Sequence, residues 1–146
     1  ALREASAHGP HAIVTGGAAW KPMLERFARA NRLDAGLAGI HVVASSGIAL
    51  MAQPDGGAAE LLGALRTAAA PPVRAVVIGG AALGGIAQRV ASQVAVPVID
   101  SVQAGARWAR AAMDAAGARA DAPSLDAGVR WSGVSPELAA RLAGGA

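Results

Sequence analysis

Cysteine is absent from this chain of 146 residues. That excludes disulfides, thiolate metal sites and cysteine nucleophiles within it. Tyrosine is also absent, phenylalanine occurs once, and aromatic residues make up only 3%. With 53% hydrophobic residues, general disorder is excluded, and the core must be built from Ala, Val and Leu packed small against small. The chain has no uncharged apolar run of about 18 residues, so no transmembrane helix and no membrane partner are expected. The first residues, ALREASA, lack the charged-then-apolar order of a signal peptide, and a cytoplasmic location is expected. Lysine occurs once; the other twelve of thirteen basic residues are Arg, scattered from Arg3 to Arg141 without aromatic clusters. The net charge of +3 is therefore not read as a nucleic-acid footprint. His8 and His11 have no second ligand at metal spacing, and His41 lies inside a strand pattern as a packed histidine. Neither a metal nor a cofactor is expected.

What is present is an alternation of strand and helix signals. HAIVTGG is a short apolar run ended by glycines, GIHVVASSG a second, VRAVVIGG a third and VPVID a fourth. WKPMLERFARANRL has helical spacing, with Leu24, Phe27 and Ala28 on one face and Pro22 as first helical residue. Asp55 is the expected N-cap of the next helix, whose apolar positions are Leu61, Leu62 and Leu65. After the third strand, Ile86, Val90 and Val94 recur at helical spacing. Asp100 or Ser101 caps a last long helix that is expected to bury Val102, Ala106, Ala109 and Met113 and to end near Gly117. Four strand–helix units imply an α/β fold: a four-stranded parallel sheet with helices on both faces. The expected lobe spans residues 1–117. Residues 118–146 read as a polar C-terminal tail carrying a short helix, opened by Ser135-Pro136 and running through Leu142. Ligands of such sheets bind at the carboxyl ends of strands. This places Thr15 to Ala19, Ser45 to Gly47, Gly79 to Leu83 and Asp100-Ser101 along one rim.

The glycine-rich stretch AVVIGGAALGGIAQRV invites a nucleotide reading, which its spacing does not support. From Gly79, the G-x-G-x-x-G fingerprint meets Ala81 where its second glycine belongs. Gly79 and Gly84 have Walker A spacing, but Gly85-Ile86 follow in place of Lys and Ser/Thr. Backbone amides at Gly80, Ala81 and Ala82, just before a helix, remain able to hold an anion. Val14 to Trp20 matches Val77 to Leu83 at five of seven positions. Two strand-to-helix turns built of the same small residues, or two loops facing one ligand, both account for the echo.

IVTGGAAWKPMLERFARANRL, VVIGGAALGGIAQRVASQVAVPVIDSVQAGARWA and WSGVSPELAARL together resemble the Asp/Glu/hydantoin racemase family, on its hydantoin racemase branch. The resemblance runs from about His11 to Leu142. It implies a two-lobed α/β enzyme that inverts a carbon next to a carbonyl without cofactor. One thiolate removes the α-proton and a second thiol, facing it from the other lobe, returns a proton to the opposite face. This chain departs from that pattern: the family's second cysteine falls at Gly80, and the first belongs to a lobe that would precede residue 1. The resemblance thus implies the C-terminal part of a racemase-like protein, with no catalytic residue of its own. Thr15, Gly16 and Gly17 would line one side of a carboxylate or imide pocket, and Gly80, Ala81 and Ala82 would form its donor turn. The expected partner is a small carboxylate or hydantoin-like molecule, and half of a two-lobed body should expose an apolar face and self-associate as a homo-oligomer. A non-catalytic carboxylate-binding or scaffold module derived from the same fold is the alternative.

Overall fold

The computed structural model describes residues 1–116 and 135–143. Residues 1–111 form one compact unit. It opens with α1 (Leu2–Ser6), β1 (His11–Gly16) and α2 (Trp20–Ala30), followed by β2 (Leu37–Val43), α3 (Gly47–Met51) and α4 (Ala58–Ala68). Then come β3 (Ala75–Gly79), a 3-10 turn over Ala81–Leu83, α5 (Ile86–Val90) and a second 3-10 turn over Ala91–Gln93. β4 (Val98–Asp100) leads into α6 (Ser101–Ala116), and α7 (Pro136–Ala143) lies in the second unit.

All four strands are parallel and ordered β2-β1-β3-β4. Parallel strands covered on both faces need apolar residues in consecutive positions, and β1 and β3 supply them. Ala12, Val14, Val76 and Ile78 face α4 and α5, where Leu61, Leu65, Ile86 and Val90 complete one core layer. Ile13, Ala75 and Val77 face the other way, towards Leu2, Ala5, Ala28 and Ala104 of α1, α2 and α6. The expected α/β architecture, with helices on both faces, is the one observed.

Several local expectations need correction. Pro22 is the third residue of α2, not the first. Its missing N–H costs nothing there, because the first turn's amides have no intrahelical acceptor. Asp55 sits before the N-cap of α4, which is Gly57. Its carboxylate nevertheless accepts from the Gly57 and Ala59 amides at 2.9 and 2.8 Å. The short helix α3 has no counterpart in the sequence reading. The helix from Ile86 stops at Val90, and Val94 packs against the core from beyond it. Phe27 is 53% exposed. In α6, Ala104 is buried, whereas Val102, Ala106, Ala109 and Met113 are exposed. Helical spacing selects a stripe but does not show whether anything lies against it. The strand that leads into α6 is three residues long and offers little surface.

In the second unit, α7 begins at Pro136 as expected, with Ser135 Oγ accepting from the Leu138 amide at 3.3 Å. The expected tail of residues 118–134 and the helix end near Gly117 lie outside the described residues.

Candidate functional site

The strand order reverses direction between β1 and β3. β1 connects to β2 on one side, and the chain returns to place β3 on the other. Loops leaving the carboxyl ends of two such strands diverge, and a crevice opens between them. Here the crevice is a cavity of about 430 Å³. Thr15, Gly16 and Trp20 border it from the first loop, and Gly80, Ala81 and Ala82 from the second. The two echoing glycine turns therefore face one cavity. Gly17 does not line it; its positive φ of 88° turns the chain, and its amide donates to Val43 O at 3.2 Å.

Thr15 is 2% exposed yet borders the cavity. It pairs with Gly79 across the central strands, so the two turns leave the sheet side by side. Gly80 has φ 129° and ψ 127°, a conformation open to glycine and rarely to other residues. The chain then enters a 3-10 turn whose first bond runs from Leu83 N–H to Gly80 O. The amides preceding that bond lie ahead of any intrahelical acceptor, and the methyl-sized side chains beside them let a ligand come close.

A third wall was not identified as such in the sequence. Ser46, the N-cap of α3, and Gly47 and Ile48, its first two residues, border the cavity, and Ile48 is 82% exposed at its lip. A side chain at Gly47 would lie 3.3 Å from the Ala82 methyl, so this wall touches the second glycine turn. Ser45 is tied to Glu60 of α4: its hydroxyl donates at 2.8 Å and its amide at 3.3 Å. The Gln53 side-chain amide donates to the same carboxylate at 3.1 Å. The Gln53 and Ser45 donors hold the Glu60 carboxyl below the ordinary carboxylate range. Ser45 to Gly47 was placed on the rim by the strand pattern, but no motif marks Glu60.

Asp100 is 6% exposed and accepts from three backbone amides: Gly85, Val102 at 2.9 Å and Gln103 at 3.1 Å. It caps α6 and ties it to the start of α5, consistent with a structural role, and does not line the 430 Å³ cavity. A second cavity of about 610 Å³ meets Gly79 and Gly80 from the side of Ile13, Phe27 and Trp108. His11 is fully buried at the amino end of β1, away from the rim, and His41 lies in the edge strand β2. Among the described residues no group of three or more His, Asp or Glu gathers as for a metal ion. Nor, among them, is any helix long and apolar enough to cross a membrane.

None of the twelve residues lining the switch-point cavity carries a side chain that ionises near neutral pH. The polar side chains on these walls are the hydroxyls of Thr15 and Ser46 and the Trp20 indole.

The parallel α/β fold of this chain is similar to part of a solved racemase structure. The crystal structure of allantoin racemase from Pseudomonas fluorescens superposes with a TM-score of 0.72 at 18% identity. The match covers 80% of this chain and 50% of that one, so the chain spans about half the length of that protein. The family model for Asp/Glu/hydantoin racemases matches residues 1–109, and the chain belongs to that family. No curated protein sequence matches it.

Proposed function

We propose that this chain is a ligand-binding racemase lobe that does not itself catalyse two-base racemisation. The observation that carries this reading is the switch-point cavity: both glycine turns wall it, and Gly80 stands where the resemblance puts a thiol. Inverting a stereocentre by proton exchange needs one group to take the α-proton and another to deliver one to the opposite face, because a single base returns the proton to the side it left. Glycine supplies neither. Backbone donors at Gly80 to Ala82 fit the negative oxygen that develops when such a proton leaves. The charge-free lining favours a hydantoin-like cyclic amide over a zwitterionic amino acid, whose two charges would find no counter-charge on these walls.

The test is to incubate the chain with an L-5-substituted hydantoin and with L-aspartate and to follow optical rotation. Rotation should persist in both, while the hydantoin raises the melting temperature and aspartate does not. Rapid loss of rotation would overturn the claim of inactivity. No thermal shift with any hydantoin or carboxylate would remove the ligand-site reading.

The scaffold alternative draws on the exposed apolar side chains. Phe27 and Trp108, 53% and 65% exposed, flank the larger cavity. Exposed aromatic surface of this kind supports self-association. Sedimentation should then show a dimer or larger species, and a monomer would contradict it.

A further inference from the structure

We infer that Glu60 is a positioning residue: its carboxylate holds Ser45 and through it the adjoining Ser46 and Gly47, a wall of the switch-point cavity, and so sets the affinity of the site. This rests on the reading of that cavity as a ligand site and adds a residue that does not line it.

The wall has a demanding place in the fold. It lies over Gly16, where a side chain would come within 2.7 Å of Ser45 O, and it reaches Ala82 in the opposite turn. It therefore sets the spacing between the two donor turns. Its own internal tie is local, from the Ala49 amide to Ser46 Oγ at 3.2 Å. The tie from another element comes from Glu60 in the first turn of α4, which receives both the hydroxyl and the amide of Ser45. Gln53 donates to the same carboxylate oxygen as the hydroxyl and fixes the carboxylate's orientation. A carboxylate is an acceptor on both oxygens, and all three neighbours are donors, so the charge and the geometry agree. Removing the carboxylate frees Ser45 and lets the wall move relative to Gly16 and Ala82. Misplacement of a binding group by about 1 Å is enough to lose most of its contribution.

The experiment titrates L-5-methylhydantoin into the full chain, followed by amide NMR shifts, well below the melting temperature of every variant. In the wild type, the amides of Gly16, Gly47 and Ala82 should shift. Glu60→Ala should weaken binding about tenfold or more, as loss of hydrogen bonds to a charged acceptor implies. It should also move the Gly47 and Ala82 amides before any ligand is added. Glu60→Gln keeps one acceptor oxygen and should recover part of the affinity. Leu61→Val, in the core face of the same helix, should lower the melting temperature and leave affinity unchanged. If the wild type binds the probe and Glu60→Ala binds it equally, or Leu61→Val weakens it as much, the positioning role is wrong while the site stands. If the wild type gives no shifts at those amides, the site reading fails and the positioning role falls with it.

Discussion

Gly16 lies so close beneath Ser45 that a methyl group on it would meet the Ser45 carbonyl oxygen at 2.7 Å. The same methyl would sit 3.1 Å from both the Gly47 amide and a Leu50 methyl. Two of these three neighbours are backbone and cannot rotate away. Gly16→Ala should therefore destabilise the fold by about 1–3 kcal/mol. Gly63, in the middle of α4, has nothing within 4 Å of such a methyl. Gly63→Ala should stabilise by about 0.5–1 kcal/mol, because it removes backbone freedom from the unfolded chain without crowding the folded one. Urea denaturation of the pair checks both signs.

At Gly80 the obstacle is the backbone and not space. An added Cβ would meet Leu83 at 3.6 Å, an ordinary contact, but φ is 129°. Gly80→Ala should cost about 1–3 kcal/mol, the usual scale for a side chain held in such a region. Unchanged thermal stability would show that the turn can adopt an ordinary φ. A thiol at position 80 thus requires the turn to be rebuilt, and Gly80→Cys alone should be destabilised to a similar extent.

Asp100→Ala should cost about 1–3 kcal/mol, since it strands the Gly85, Val102 and Gln103 amides that the carboxylate now receives. Asp100→Asn keeps one acceptor oxygen and should cost less. Chemical denaturation separates the two. Equal stability of Asp100→Ala and wild type would show that water replaces the cap.

Acid should weaken the fold through Asp55 and Glu60. Backbone donors at Ala59 and Gly57 lower the Asp55 pKa, and Gln53 and Ser45 lower that of Glu60. A carboxylate with a depressed folded-state pKa contributes stability that is present above its unfolded pKa. The contribution is lost as pH falls through the folded value. The melting temperature should be level from neutral pH to about 5 and decline below about 4.5. Asp55→Asn and Glu60→Gln should each flatten that decline. A variant whose acid limb matches the wild type would show that its carboxylate is not linked to folding.

Much of the frame was legible. Apolar runs ending in Gly16-Gly17 and Gly79-Gly80 marked the two central strands, because a strand buried on both faces has no polar positions to alternate. The rim followed from the rule that ligands meet parallel sheets at carboxyl ends. The echo between residues 14–20 and 77–83 left two accounts open, and the cavity between the turns now favours the one in which both face the same space. Other features could not be read. Nothing in the spacing of Val102, Ala106 and Ala109 shows that α6 leaves that stripe uncovered. Asp55 was recognised as a cap, but its exact station was not, since two intervening glycines at positive φ, Gly56 and Gly57, let it reach forward.

By itself, the sequence determined the four strands, the small-residue turns that end two of them and the absence of any thiol, because these depend on side-chain chemistry and short-range periodicity. Tertiary structure decided which turns meet. The order β2-β1-β3-β4 sets Thr15 beside Gly79 and opens the cavity between them. It also brings Glu60 to Ser45 across a separation of 15 residues. Neither relation has a local signature, because strand order and long-range hydrogen bonds come from burying both sheet faces at once, a condition that no single stretch of the chain satisfies alone.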